Sequence, residues 1–316
     1  MINQKKISII TPCFNEEAAI AYCYETVKHI FETQLGQYTY EHIFSDNAST
    51  DNTVPILRKI AEVDPRVKIL VNSRNFGPMR SNFNGVLHAT GDAVFVFLPA
   101  DLQDPPDLMP EFIKKWEEGF QVVYGIRHQR QEARLMIWVR RLYYNLVASS
   151  ANITIVPNVG DFQLVDKQVL NELKKVDDYY PYLRGLIFSC GFRSVGIKYT
   201  WIERKRGVSK NRILSLIDQG LNGLISFTNL PMRLCMFTGF IVAFLSVMYG
   251  LVQLVLNVLF YREFSAPGIA TLIVALFFFS GIQLFFLGII GEYASAIHFQ
   301  VRKRPMVIVK EKVNFD

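Results

Sequence analysis

Cysteine is scarce in this chain and arranged for neither of its usual structural uses. Four occur in 316 residues: Cys13, Cys23, Cys190 and Cys235. No two form a C-x-x-C pair, and Cys235 falls inside a long apolar run, so neither a disulfide frame nor a zinc site is indicated and a reducing cytoplasm fits. The five histidines (His29, His42, His88, His128, His298) show no ligand spacing. Also missing are G-x-x-x-x-G-K-[ST] and G-x-G-x-x-G, which removes the main support for P-loop phosphoryl transfer and for a Rossmann dehydrogenase. The early apolar stretch Ile7–Ile10 ends at Pro12, far short of a secretory h-region, so targeting is expected to rest on later segments. Internal repeats and low-complexity stretches are absent.

Charge is missing where it matters most. Two uncharged runs of 28 residues, Leu234 to Tyr261 and Phe264 to Gly291, lie back to back with only Arg262 and Glu263 between them. Each exceeds the roughly 18 residues that mark a transmembrane candidate, and a charge at bilayer mid-depth costs about 2.5–3.5 kcal/mol, so the Arg262–Glu263 pair marks a turn at the surface. The expectation is a two-helix hairpin over 232–297. Arg204, Lys205, Arg206, Lys210, Arg212 and Arg233 precede it, and Arg302, Lys303, Arg304, Lys310 and Lys312 follow it, so the positive-inside bias puts both termini in the cytoplasm at the inner (plasma) membrane. From Arg193 to Arg212 there are seven basic residues against the single acid Glu203, within a formal charge of +6. That run suits anionic headgroups or a phosphorylated ligand; no nucleic-acid partner is expected.

The first two hundred residues read as one soluble α/β domain over 1–212. Apolar, β-branched runs alternate with helical patterns: Ile7–Ile10 and then Glu16 to Leu35, His42–Phe44 and then Thr53 to Val63, Val67–Val71 and then Arg80 to Ala89, Ala93–Leu98 and then Asp107 to Glu118, followed by Gln121 to Tyr124. This predicts a doubly wound, mostly parallel sheet. A helical stretch at Glu132 to Ser150 and a run at Asp161–Val165 follow, and are expected to shape an acceptor side. Residues 213–231 carry apolar positions at helical spacing opposite Asp218, Gln219 and Asn222, the pattern of an interfacial amphipathic helix. The last stretch, 298–316, reads as a basic cytoplasmic tail.

In a doubly wound sheet, ligands bind beyond the carboxyl ends of the strands. Polar and acidic residues collect in those loops: Asn15–Glu16, Asp46–Asn47, Asn72 to Asn75, and Asp101 to Asp104. Asp101 and Gln103 offer hard oxygen donors, while Asp46 and Glu16 offer hydrogen-bond acceptors. A sparse carboxylate set of this kind suits Mg2+ or Mn2+ shared with phosphate oxygens, although any single acid after a strand, Asp51 or Asp107 among them, serves equally as a helix cap.

Five segments in order, Pro12-Cys13-Phe14-Asn15-Glu16-Glu17, Asp46-Asn47-Ala48-Ser49-Thr50-Asp51, Arg74-Asn75-Phe76-Gly77, Ala100-Asp101-Leu102-Gln103-Asp104-Pro105-Pro106 and Gly160-Asp161-Phe162-Gln163-Leu164, resemble the inverting family 2 glycosyltransferases of the GT-A fold. The likeness is to their polyisoprenyl-phosphate branch, dolichyl-phosphate mannose synthase and the two-span GtrB type. It implies transfer of a hexose, glucose from UDP-glucose above others, to undecaprenyl phosphate. By that resemblance Pro12, Phe14, Glu16, Asp46, Asn75 and Asp101 hold the donor, and Asp101 with Gln103 holds the metal. Asp161 is the acceptor-side aspartate, acting as base, orienting the acceptor, or stabilising charge near the anomeric carbon. Arg127, Arg184, Arg204, Arg206, Ser209 and Lys210 lie near phosphates of donor or acceptor. Three positions depart from the pattern: Pro99 where D-x-D begins with an acid, Asn47 for a common second Asp, and Ser189 for a frequent Trp before Cys190. A processive polysaccharide synthase shares the donor fold, but two spans are too few for an export pore and Gln-x-x-Arg-Trp is absent. A membrane-tethered nucleotide-sugar sensor is the non-catalytic alternative. Gly239, Gly250, Gly281 and Gly288 permit close helix contact in a homo-oligomer.

Overall fold

The computed structural model describes residues 4–127, 159–200, 230–259 and 269–315. Two compact units emerge. One comprises 1–149, 153–226 and 304–316; the other comprises 150–152 and 227–303.

The first unit is built on β1 (Lys6–Cys13), β2 (Thr39–Asp46), β3 (Val67–Asn72), β4 (Ala93–Phe95), β5 (Val122–Arg127), β6 (Val159–Asp166), β7 (Ser194–Tyr199) and β8 (Val309–Val313). They form one sheet in the order β7-β5-β6-β4-β1-β2-β3-β8. Its helices are α1 (Ile20–Thr33), α2 (Thr53–Val63), α3 (Pro78–Leu87), α4 (Met109–Glu117, entered through a 3-10 turn at Pro106–Leu108), α5 (Lys167–Leu173) and α6 (Leu183–Ser189). The central strands β1, β4 and β6 bury apolar residues on both faces, as a sheet covered by helices requires. Ile7, Ile9, Phe95, Phe162 and Leu164 pack with α1 and α4 on one side, and Ile10, Ile43, Val94 and Val165 pack with α3, α5 and α6 on the other. Phe95 and Phe162 stack at 5.5 Å between ring centroids, with Phe112 of α4 at 4.9 Å from Phe162.

The doubly wound expectation is met, with one correction: the sheet is mixed. β1 pairs in parallel with β2 and β4, β2 with β3, and β5 with β7, but β6 runs antiparallel to both of its neighbours and β8 antiparallel to β3. The reversal of β6 has a consequence for the site. Phe95 lies opposite Leu164, and beyond the strand Val96 N–H donates to the Gln163 carbonyl at 2.9 Å. The start of β6, where Asp161 sits, therefore shares a rim with the carboxyl ends of β1, β2, β4, β5 and β7.

Helix α1 starts at Ile20 rather than Glu16, because Asn15, Glu16 and Glu17 bond to the neighbouring loop instead of to a helix. The supposed tail contains β8, which extends the sheet past β3. Arg58 reaches Glu311 at 2.5 Å, and the Asn314 amide donates to the Ala61 and Val67 carbonyls at 2.9 and 2.8 Å.

The second unit carries α7 (Leu230–Leu259) and α8 (Ile269–Val301), of 30 and 33 residues. Among the described residues one stretch, Phe278–Val301, is long and apolar enough to cross a membrane, with mean hydropathy 1.4. Among the described residues, nothing outside the helix's own nearby backbone lies within 4 Å of where a Cβ would sit on Gly239, Gly281 or Gly288. The expected turn at Arg262–Glu263, the helix at Glu132–Ser150 and residues 213–229 of the amphipathic segment lie outside the described residues; Leu230 and Pro231 already belong to α7.

Candidate functional site

Two loops are laced together at the ends of β1 and β2. Register sets Pro12 beside Ser45 and Cys13 beside Asp46. Asn15, with φ of 54°, donates its backbone N–H to Ser49 Oγ at 2.8 Å, while its side-chain oxygen accepts from Thr50 N–H at 2.7 Å. Glu16 N–H donates to Thr53 Oγ1 at 2.8 Å, and the Glu16 carbonyl receives the first N–H groups of α1. Pro12, Phe14 and Glu16 are half-buried in this double loop. Asp51 accepts from Thr53 through N–H at 3.0 Å and Oγ1 at 2.6 Å, a cap-like role at the start of α2.

Asp46 is fully buried at the end of β2. Burial raises its pKa, against the opposing effect of the Ser49 hydroxyl at 2.5 Å and the Ser49 N–H at 3.0 Å. Next to it, Asn47 joins the second loop to the third. Phe76 N–H donates to Asn47 Oδ1 at 2.9 Å, and Asn47 Nδ2 donates to Asn75 Oδ1 at 2.9 Å, which also accepts from Gly77 N–H at 2.9 Å. Two backbone N–H groups thus fix both amide orientations, which side-chain atoms alone would leave ambiguous. Asn75 is exposed, and its oxygen is the end that is occupied.

The fourth loop follows β4. Leu98 N–H donates to the Ile10 carbonyl at 2.8 Å, which ties the run before Asp101 to β1. Asp101 Oδ1 accepts from Gln103 N–H at 3.2 Å across Leu102, whose φ is 54°. Asp101 and Gln103 are both half-buried. Among the described residues no group of three His, Cys, Asp or Glu side chains could hold a metal ion. One carboxylate beside one amide oxygen fits a cation that takes its remaining ligands from phosphate oxygens and water, as Mg2+ does.

On the far side of the rim, Asp161 and Arg184 form an ion pair at 2.7 Å, and Arg184 Nη1 donates to the Val159 carbonyl at 3.0 Å. The Arg184 guanidinium also lies 5.5 Å from the Tyr182 ring centroid. Arg80, in the first turn of α3, packs over Tyr179 and Tyr180 at 4.9 and 5.2 Å, so the segment before α6 is held from α3 as well.

Arg127 at the end of β5 points to a partner the sequence did not reveal. Its Nη2 donates to both oxygens of Asp104 at 3.0 Å, and its Nε donates to Tyr199 Oη at 3.1 Å; the Tyr199 hydroxyl in turn donates to Asp104. Asp104 is 1% exposed. Burial works against the Arg127 charge, but Asp104 and Tyr199 more than offset it and raise its pKa. Burial beside Asp104 likewise pushes the Tyr199 hydroxyl well up. Arg204, Arg206, Ser209 and Lys210 lie outside the described residues.

The order of loops on this rim can be compared with known proteins. The model of glycosyl transferase family 2 matches residues 8–174, and that of the GtrB C-terminal hairpin matches residues 230–297. The SfII prophage-derived bactoprenol glucosyl transferase of Shigella flexneri is 34% identical over 97% of this chain and 98% of its own length. A prophage bactoprenol glucosyl transferase homologue of Escherichia coli K12 is 33% identical over 96% and 98%, and the uncharacterized glycosyltransferase YkcC of Bacillus subtilis 34% over 98% and 94%. Among solved structures, glucosyl-3-phosphoglycerate synthase from Mycobacterium tuberculosis with Mn2+, UDP-glucose and phosphoglyceric acid is similar at a TM-score of 0.46 and 17% identity, over 70% of this chain and 79% of that one. One model spans β1 to α5, the other both long helices, and the relatives align over nearly the full length: the chain belongs to glycosyl transferase family 2 and carries the GtrB C-terminal hairpin.

Proposed function

We propose that this protein moves one glucose from UDP-glucose to a polyprenyl phosphate, undecaprenyl phosphate, at the cytoplasmic face of the inner membrane, with inversion at the anomeric carbon. The observation that carries this reading is the full-length likeness, hairpin included, to relatives named bactoprenol glucosyl transferase. The shared rim of the Asp46, Asp101 and Asp161 loops supports it.

On this reading the double loop bearing Pro12, Phe14, Glu16 and Asp46 receives the nucleoside, with Asn75 at its edge. Asp101 and Gln103 would hold Mg2+ or Mn2+, whose chemistry is to stabilise negative charge on the departing diphosphate. Asp161 and Arg184 face the acceptor. A phosphate monoester has a second pKa near 6, so the acceptor is largely a dianion at pH 7 and has no proton that must be removed. Asp161 therefore acts chiefly by aiming the Arg184 guanidinium and by its own charge beside the anomeric carbon. The attacking oxygen arrives in line with the departing diphosphate, which inverts the centre without an enzyme nucleophile. Arg204, Arg206, Ser209 and Lys210 would supply further cations to the two anions that meet.

The hairpin brings this site to the lipid. A polyprenyl tail leaves the bilayer at about 0.8 kcal/mol per exposed CH2, so the enzyme goes to the tail. Purified protein with Mg2+ or Mn2+, UDP-glucose and undecaprenyl phosphate is expected to release UDP and yield an extractable lipid with a single sugar. Asp101→Ala is expected to lower that rate about 100-fold or more. A polymeric product would favour a processive synthase, and binding of UDP-glucose without UDP release would favour a sensor. A donor screen in the same assay tests glucose against other sugars.

A further inference from the structure

Arg127 is expected from the sequence to lie near a phosphate, yet its guanidinium is turned to Asp104 and Tyr199. The three residues come from three places: Asp104 from the loop that carries Asp101 and Gln103, Arg127 from the end of β5, and Tyr199 from the end of β7, opposite Arg127 in register. Each side of the triangle is closed by a hydrogen bond. Asp104 is 1% exposed, so the network is buried where a missing partner is costly.

Two glycines are shaped around it. A Cβ on Gly125 would stand 2.5 Å from Tyr199 Cε1, and one on Gly160 would stand 2.9 Å from Tyr199 Oη and 3.3 Å from Arg127 Nε. The network therefore packs against the backbone of Gly160, one residue before Asp161. That backbone is gripped from other sides too: the Gly160 carbonyl accepts from Gln163 Nε2 at 3.0 Å, and the Val159 carbonyl accepts from Arg184.

One end of this network is thus three residues from the carboxylate assigned to the metal, and the other abuts the residue before the acceptor-side aspartate. We propose that Asp104, Arg127 and Tyr199 form a positioning lock that fixes the distance between the Asp101–Gln103 loop and Asp161. Arg127 then serves transfer through Asp104 and Tyr199 rather than by holding a phosphate. The claim rests on the glycosyltransferase reading for its kinetic consequence, and on the geometry alone for its structural one. In-line displacement needs donor and acceptor held to within a fraction of an ångström, so a loosened lock lowers turnover more than donor affinity.

The test uses the full-length protein in detergent or nanodiscs, with Tyr199→Phe, which removes one hydroxyl and leaves the ion pair, Asp104→Asn, and the double variant. Expected are a fall in kcat of at least tenfold in each single variant, a donor KM within twofold of wild type, and a double variant no slower than the worse single. Amide hydrogen exchange is expected to speed up at 101–104 in Tyr199→Phe and to stay unchanged at 46–49. A kcat within twofold of wild type, a loss confined to KM, effects that multiply in the double variant, or unchanged exchange at 101–104 each overturns the lock. If Asp104→Asn fails to fold, Tyr199→Phe decides alone. If wild type transfers no sugar to polyprenyl phosphate, the functional reading fails and the exchange measurement still decides the structural claim.

Discussion

The structure gives the Asn47 amide a job that a carboxylate cannot do. Its Nδ2 donates to Asn75 Oδ1 while its Oδ1 accepts from Phe76 N–H. An aspartate keeps the second bond and loses the first, and it sets a carboxylate against the Asn75 oxygen that Gly77 already occupies. Asn47→Asp is therefore expected to disorder the 75–77 turn and raise the KM for the sugar nucleotide about 5–10-fold, the equivalent of about 1 kcal/mol, with kcat little changed. Steady-state kinetics in donor concentration check this; an unchanged KM rules it out. At this scale the rim itself was largely legible, because acids and amides directly after apolar strands announce one. The lock was not. Asp104 lies 23 residues from Arg127 and 95 from Tyr199, and no local pattern joins them. The one signal was indirect: Gly125 and Gly160, each beside a strand position that a larger residue would block.

At the scale of elements, the alternating runs fixed β1 to β5 and α1 to α4 closely, because buried parallel strands read as continuous apolar stretches. Two strands escaped for the opposite reason. β7 was hidden in a run read for its positive charge, and β8, with Lys310, Glu311 and Lys312 in five residues, carries the charged pattern of a sheet edge. β2 also bears the acid lability of the sheet. Glu41, 1% exposed, takes Lys6 at 2.8 Å, Lys68 at 3.0 Å, the Ser8 hydroxyl at 2.6 Å and the Thr90 N–H at 2.8 Å. Burial works to raise its pKa, but these partners bring it down to about 2. A carboxylate depressed on folding contributes stability that is present above its unfolded pKa of about 4.3 and is lost as pH falls through the folded value. The contribution is on the order of 3 kcal/mol. Glu41→Gln should show a large deficit in melting temperature at pH 6 that narrows toward pH 2; an equal deficit at both ends refutes the assignment. Neighbouring His42, pushed by burial down to about 3, adds a second acid-sensitive contribution, lost between about pH 6.5 and 3, that this substitution leaves in place.

For the whole molecule, connectivity constrains topology. The chain leaves the sheet-bearing unit before Phe227 and rejoins it at Arg304, and β8 pairs with β3 of the sheet it left. If α7 and α8 both span the bilayer, the chain that enters α7 and the chain that leaves α8 lie on one side of it, which the flanking basic residues predict to be the cytoplasm. Single cysteines on a background with the four native ones replaced provide the check. Glu263→Cys, in the segment between α7 and α8, is expected to react with an impermeant maleimide in intact cells, and Lys310→Cys only after permeabilisation. Labelling of Lys310→Cys in intact cells would reject the proposed orientation.

The position of β8 in the chain also governs biogenesis. A ribosome makes this strand only after both long helices, so during synthesis the β3 edge stands open, and a strand with an open edge is a template for pairing with other chains. Synthesis of both long helices therefore comes before the sheet is finished. The closing of that edge marks a polypeptide whose two long helices have already been made.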